Sequence, residues 1–364
     1  MSNWEYNEQE LWRFGEGDIS LYHVFSTVAV GRCVLVFAEA RHGDGADAGT
    51  PHDIVMRRST DGGHSFEPSI CLLGANGTHC YVNPTPIYDT VTGRVLLIFA
   101  ENPDNRATTL YLMESEDLGS TWSVPRDITA SITKKPDTRF HIPGPGHGIQ
   151  LQKGPHAGRL LLQLWHRGED ISLPRADRGY CTSLLYSDDH GATWTHIAPI
   201  GAALLANESR LCECEEGLVW SLRASGQQHA LAFSTEDGTA WGAPRVAPLP
   251  PANACDAGLI SLSFGEKYTN TVLLSRISGT EKKQRHDMEI RISHDGGRSF
   301  PERFALPTGD AMPGYSDLCV IREETPIIGL VHCRCNHVLF SRISLQTLTG
   351  GALDGTARSV WQQV

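Results

Sequence analysis

Ser59–Phe66 reads STDGGHSF, and the same text returns as SEDLGSTW at Ser115–Trp122, SDDHGATW at Ser187–Trp194 and SHDGGRSF at Ser293–Phe300. All four fit S-x-D-x-G-x-x-[FW]. A degenerate fifth copy, STEDGTAW at Ser234–Trp241, has Glu236 in the Asp slot. Each position has a physical task. The Ser and Asp side chains bond to nearby backbone groups and close a turn, and Gly supplies a positive φ. The terminal aromatic is then free to plug into an adjacent core. Four full matches in one chain mark an internal repeat, which is the signature of a modular architecture.

An apolar strand precedes every copy: Ile54–Met56, Thr109–Met113, Thr182–Tyr186, Ala230–Phe233 and Glu289–Ile292. Each copy therefore reads as a hairpin turn between short antiparallel strands. Further strands read at Cys33–Ala38, Val95–Phe99, Leu160–Leu164, Leu218–Leu222, Val272–Ser275 and Ile327–Val331, and long periodic helices are missing. The copies begin 56, 72, 47 and 59 residues apart, so 364 residues accommodate about six units. Four-stranded sheets repeated around an axis make a β-propeller. The expectation is an all-β, six-bladed β-propeller of four-stranded antiparallel blades. It forms one domain over residues 1–364, its last blade closed by strands from both chain ends through the N-terminal residues 1–20. The repeats are scaffold, so function has to come from the hub where blades converge.

Composition narrows the function classes. The chain carries 31 Lys and Arg against 42 Asp and Glu, a net charge of −11. Nucleic-acid affinity comes mainly from neutralising phosphates, so an acidic chain is a poor candidate for it. No run of 18 apolar residues exists to span a membrane. The opening MSNWEYNEQELWR has neither a basic start nor an apolar core, so it does not read as a secretory signal, and a cytoplasmic location is expected. Of the cations, 25 are Arg and 6 are Lys. Arg grips a carboxylate in a fixed planar geometry, and an anionic substrate would need a local cluster of them. The ten cysteines include no C-x-x-C and read as reduced, buried thiols. Strand alternation puts both thiols of Cys212/Cys214 and of Cys333/Cys335 on one face. Their spacing is not that of a zinc site, and neither metal nor organic cofactor is expected.

Several segments besides the repeats occur in an order that resembles the sialidase (neuraminidase) superfamily, whose "Asp boxes" the four matches resemble. They are FAEAR at Phe37–Arg41, DIVMRRSTDGG at Asp53–Gly63, NPTPIYD at Asn83–Asp89, GPGHGIQL at Gly144–Leu151, NESRLCE at Asn207–Glu213, SLR at Ser221–Arg223, RHDMEIR at Arg285–Arg291 and GYSDL at Gly314–Leu318. The resemblance runs from about Tyr22 to the C-terminus. It implies a retaining exo-α-sialidase acting on a sialylated glycan or another acidic-sugar glycoside. A sialoside is a ketoside with a carboxylate on its anomeric carbon, and its cleavage passes through an oxocarbenium-like centre. A carboxylate nucleophile would be repelled by that carboxylate, which rationalises the Tyr nucleophile of sialidases. An ordinary phenol is a weak nucleophile at pH 7 and needs a neighbouring base.

Carried over by position, the resemblance makes Tyr315 the nucleophile, Glu208 its base, and Arg223 and Arg285 two arginines of a carboxylate-binding triad. Asp47 matches the acid/base aspartate, with Asp44 the competing choice in the same loop. Glu39 and Arg41 match an accompanying pair beside the acid/base. One departure stands out. The family opens with (F/Y)-R-I-P, whose Arg completes the triad, and here the text is Tyr22-His23-Val24-Phe25. Losing one charged donor costs about 1.5–3 kcal/mol, and a protonated His23 would restore part of that. Two alternatives stay open: a hydrolase for a different acidic sugar, such as a deaminated or eight-carbon ulosonic acid, and a non-catalytic propeller that binds sialic acid. His147 and the pair His166/Arg167 read as loop residues. Oligomeric state is not legible.

Overall fold

The computed structural model describes residues 5–133, 138–226, 228–235, 237–253, 255–264, 267–279, 285–306 and 314–350. Six antiparallel sheets arrange as a six-bladed β-propeller. Blade 1 is built from Ile19–Val30, Cys33–His42, His52–Ser59 and Ile70–Leu73, innermost strand first. Blade 2 uses Tyr81–Asp89, Arg94–Glu101, Thr109–Ser115 and Arg126–Asp127. Blade 3 has Leu160–Arg167, Cys181–Ser187 and Thr195–Ile200, with its inner position split between Phe140–Pro143 and Ile149–Gln150. Blade 4 is Ser209–Cys214, Gly217–Arg223, His229–Ser234 and Arg245–Val246. Blade 5 is Gly258–Phe264, Lys267–Ile277, Met288–Ser293 and Glu302–Ala305. Blade 6 takes Ser316–Ile321, Ile327–Arg334 and His337–Ser344, and its outer strand is Tyr6–Arg13 from the other end of the chain. That last pairing runs antiparallel from Tyr6 opposite Ile343 to Arg13 opposite His337. Pairing the first strand with the last puts both chain ends in one sheet and so closes the ring.

The repeat motif closes the same turn four times. In the first, Ser59 Oγ donates to Asp61 Oδ1 at 2.8 Å and accepts from Gly63 N at 2.8 Å. Asp61 in turn accepts from the amide of Ser65 at 3.0 Å and its hydroxyl at 2.6 Å. Ser115/Asp117, Ser187/Asp189 and Ser293/Asp295 repeat these bonds. The glycine sits at positive φ in each, for example 82° at Gly63 and 86° at Gly119. The aromatics seal neighbouring blades: Phe66 packs on Phe340 of blade 6 at 5.1 Å, and Trp122 on Phe37 of blade 1 at 5.9 Å. In the degenerate copy Glu236 lies outside the described residues. Asp237, one place along, accepts from Thr239 N and Oγ1 at 3.1 and 2.7 Å and stands in for the missing Asp.

Six apolar clusters fill the ring, several of them between adjacent blades. Eight of the ten thiols are buried in this packing, and Cys71 and Cys335 are exposed. Cys212 and Cys214 share a buried face, as alternation predicts. Cys333 and Cys335 do not: the strand ends at Arg334, and Cys335 occupies the next turn at φ 53°. Among the described residues no helix is long and apolar enough to cross a membrane.

Candidate active site

The inner strands of a propeller converge on its axis, so residues at one end of them share a cavity. Here that cavity holds about 330 Å³ and is lined by Tyr315, Glu208, Asp47, Arg223, Arg285, His23, Arg41 and Glu39. Asp44 does not line it. A larger cavity of about 570 Å³ opens at the opposite end of the blade 4 strands, beside the Cys214–Gly217 turn, and none of the candidate residues lines it.

Glu208 and Arg223 meet because a hairpin puts them there. Ser209 pairs with Leu222, and one step outward Arg223 N donates to the Glu208 carbonyl at 2.9 Å. Their side chains then face each other, and Arg223 Nη1 donates to Glu208 Oε2. Tyr315, just before the inner strand of blade 6, donates from its Oη to Glu208 Oε1. Arg223 Nη1 also donates to that Oη at 3.1 Å. The phenol and the glutamate are both buried, at 6% and 7% exposure. Burial and the Glu208 carboxylate push the phenol's pKa well above its ordinary value, while Arg223 opposes them. Tyr315 is therefore a phenol at neutral pH, already hydrogen-bonded to the group that can take its proton. The Arg285 guanidinium lies 5.8 Å from the Tyr315 ring centroid.

A fixed ionic network lies at the axis, two residues along the strands. Arg210 donates to the Pro145 carbonyl and pairs with Asp256, and its Nε lies 3.6 Å from Asp317. Asp317 also accepts from Thr27 N at 2.9 Å and faces His147 Nδ1 at 3.0 Å. Inner-strand segments of blades 1, 3, 4 and 6, with Asp256 ahead of blade 5, are thus tied together below the tyrosine. Sequence reading left His147 in a loop. It does lie in a loop, between Phe140–Pro143 and Ile149–Gln150, and that loop reaches the axis.

Asp47 and Asp44 separate cleanly. Asp44 Oδ1 accepts from Ala46 N at 2.9 Å and closes an exposed turn. Asp47 Oδ1 accepts from Arg41 Nη1 at 2.7 Å, leaving an 84% exposed side chain at the cavity mouth. The loop is anchored from below: Arg41 Nη1 reaches the Gly45 carbonyl at 3.2 Å, and the buried His52 ring contacts the Ala46 carbonyl at 2.9 Å. Arg41 is itself held by Glu39 at 2.7–2.8 Å, and Glu39 Oε1 accepts from Asn83 N of blade 2 at 2.7 Å. Glu39 and Arg41 are thus both an ion pair and part of the cavity wall. Nothing in the local sequence flagged His52, and Asn83, which opens the NPTPIYD segment, carried no sign that its backbone N meets Glu39.

His23 corrects an expectation. Its ring stands edge-on to Tyr315, centroids 4.4 Å apart, where the inner strand of blade 1 slips register between His23 and Ser26. Val24 takes up that bulge at φ 50°, an unusual conformation for a β-branched residue. A protonated imidazole would restore part of the missing arginine's bonding. Instead, burial and the guanidinium groups of Arg41, Arg285 and Arg223 push the ring's pKa well below its usual value. His23 is neutral at physiological pH and offers one N–H, not a third positive charge. Nearby, a Cβ on Gly314 would lie 3.1 Å from Cys333 Sγ, so glycine lets the backbone enter this crowded corner.

The remaining wall comes from blades 2 and 3, including Asn83, Asn102, Asn105, Phe140, Trp165 and Arg167. None was singled out as a site residue, apart from the reading of His166/Arg167 as loop. Both in fact end a blade 3 strand and are buried.

The BNR repeat-like domain family matches residues 34–333. The chain belongs to this family, in the sialidase superfamily. A sialidase of Micromonospora viridifaciens is 27% identical over 95% of this chain and 55% of its own length. Human sialidase-4 is 30% identical over 66% of this chain and 54% of its own. The chain thus spans about half the length of these curated relatives. Among solved structures, Hadza microbial sialidase Hz136 superposes with a TM-score of 0.80 at 23% identity, covering 94% of this chain and 69% of that one. A leech intramolecular trans-sialidase gives 0.79 at 17% identity, covering 94% and 71%. At these identities the structural likeness speaks for the fold.

Proposed function

We propose that this chain is a retaining exo-α-sialidase that releases a terminal sialic acid or closely related ulosonic acid from a glycoconjugate. The observation that carries the proposal is the buried Tyr315–Glu208–Arg223 cluster on the floor of the axial cavity. A phenol, a carboxylate and a guanidinium in mutual contact are costly to bury and unnecessary for simple recognition of an acid.

The substrate carboxylate sits between Arg223 and Arg285, with the neutral His23 N–H as a third donor. Tyr315 Oη attacks the anomeric carbon and passes its proton to Glu208. The bond from that carbon to the leaving oxygen breaks, and Asp47 gives the leaving oxygen a proton. In the second half Asp47 takes a proton from water, the water oxygen bonds the anomeric carbon, and the bond to Tyr315 breaks. Glu208 returns its proton to the phenolate. Two displacements at one carbon give net retention. No metal or cofactor enters these steps.

The test is incubation with a fluorogenic sialoside between pH ~4 and ~8, a range that brackets the carboxylate and imidazole titrations. Release that is lost in Tyr315→Phe, with the melting temperature retained, supports the reading. Binding of free sialic acid without release would favour a sialic-acid-binding propeller instead. Turnover only of other ulosonic glycosides would favour a different acidic sugar.

A further inference from the structure

The cavity is lined by six arginines and three carboxylates, in a chain whose net charge is −11. Three of those arginines are accounted for above. Arg41 is paired with Glu39 and Asp47, Arg223 with Glu208, and Arg285 stands by Tyr315. The other three, Arg167, Arg175 and Arg178, come from one end of blade 3 and the loop that follows it. None has a carboxylate within 4.0 Å among the described residues. Of the acids of that loop, Glu169 pairs with Arg139 at 2.8 Å, Asp177 does not line the cavity, and Asp170 accepts from Ser172 and feels the Arg178 charge without pairing with it.

The three guanidinium groups are nevertheless held in place. Arg167 is 3% exposed, lies 3.7 Å over the Phe140 ring, and donates from Nη1 to the Gly168 carbonyl at 2.9 Å and from Nη2 to Asn105 O and Oδ1 at 2.5 and 2.6 Å. Arg178 is tied by Nε and Nη2 to the carbonyls of Leu173 and Ile171 at 2.9 and 2.7 Å. Arg175 rests 4.5 Å over the Tyr180 ring and makes no hydrogen bond among the described residues. Burial lowers the Arg167 pKa, Tyr180 opposes that and the Arg178 charge adds to it, so Arg167 and Arg178 lie close enough to repel each other. Aromatic faces that fix guanidinium planes are a common way to build an anion site, and here Arg175 and the remaining Nη1 of Arg178 keep the most N–H groups for one.

Their position says which part of a ligand they meet. Tyr315 and the carboxylate donors belong to blades 4, 5, 6 and 1, and the aglycone leaves past Asp47 on blade 1. The end of the sugar furthest from the anomeric carbon then extends toward blades 2 and 3. We infer that Arg167, Arg175 and Arg178 form a second anion subsite, and that the preferred substrate is a dianionic sugar acid carrying a phosphate- or sulfate-type group on its side-chain end. The inference rests on the sialidase reading for its orientation. Charge-assisted bonds to such a group amount to roughly tenfold tighter binding or more.

Calorimetry with free N-acetylneuraminic acid and with its 9-phosphate tests this. The 9-phosphate is expected to bind at least about tenfold more tightly at low salt, with the advantage shrinking at ~0.5 M salt. In the double variant Arg175→Ala/Arg178→Met the ratio of the two affinities should fall to about threefold or less. Arg175 is exposed and Arg178 half-buried, and an unchanged melting temperature verifies the fold. Equal affinities in the parent protein overturn the inference, as does an advantage that survives the double variant. An advantage confined to α2,8-linked disialic acid, whose second carboxylate lies on the aglycone, also overturns it. If the plain sugar binds or its glycosides turn over while the phosphate gains nothing, this subsite alone fails. If neither sugar binds and no sialoside is cleaved, the sialidase reading fails with it.

Discussion

Replacing His23 by Arg puts a positive charge where the structure has a neutral ring. The side chain would enter a cavity of about 330 Å³ already containing Arg223 and Arg285, with Arg41 close behind. A third guanidinium adds about 1.5–3 kcal/mol of charge-assisted bonding to a bound carboxylate. Against that stands repulsion from three neighbouring cations, partly offset by Glu39, Asp47 and Glu208, at about 1 kcal/mol for a solvated cavity. The net is roughly 0.5–2 kcal/mol, or about two- to thirtyfold in kcat/KM for a simple sialoside. Two assays check both sides of the balance. Steady-state kinetics should show the gain, and thermal melting of the free variant should show a loss that saturating sialic acid more than recovers. A His23→Arg protein that melts normally yet binds and cleaves sialosides no better, or worse, would refute the placement of the substrate carboxylate against this face of the cavity.

Three further outcomes follow from the geometry. Asp47→Asn should lower kcat by roughly 10²–10⁴, the usual worth of a general acid/base, whereas Asp44→Asn should leave it within about twofold; equal effects would undo the separation of the two residues. Substrate binding should raise the His23 pKa, because an anion placed among Arg41, Arg223 and Arg285 cancels the repulsion that lowers it, and imidazole NMR shifts recorded with and without sialic acid would show no change if the anion sat elsewhere. The turn aspartates have lowered pKa values, Asp117 to about 2 through its bonds to Thr121, and Asp61 and Asp189 downward despite desolvation, through their Ser and Thr partners. A carboxylate with a lowered folded-state pKa stabilises the fold above its unfolded value, and that contribution disappears as pH falls through the folded value. Melting temperature should therefore drop steeply between pH ~4 and ~2, and Asp61→Asn should flatten that drop.

The scaffold was legible because its signals are local. Ser59, Asp61, Gly63 and Ser65 bond to one another within seven residues, so the turn is written in consecutive text. Glu208 and Arg223 were half legible: a hairpin explains why residues fifteen apart face each other, but only resemblance paired them with Tyr315, which lies 107 residues beyond Glu208. The wall from blades 2 and 3 was not legible. Asn105, Trp165 and Arg175 belong to no quoted motif, Asn83 only opens one, and they meet only because separate blades end at one axis. The protonation of His23 was not legible for a related reason. Sequence shows an imidazole where an arginine is usual, but not the three guanidinium groups that surround it. Cys335 failed on register, since the strand carrying Cys333 stops one residue too soon.

The central claim is that the phenolic oxygen of Tyr315 bonds the anomeric carbon. Exposure to a 2,3-difluorinated sialic acid, which slows the second displacement, followed by intact-mass and peptide analysis, measures it directly. The account predicts one sugar adduct per chain, located on the Tyr315 peptide and missing in Tyr315→Phe. An adduct on Glu208 or Asp47, or sialoside turnover that persists in Tyr315→Phe, would contradict it.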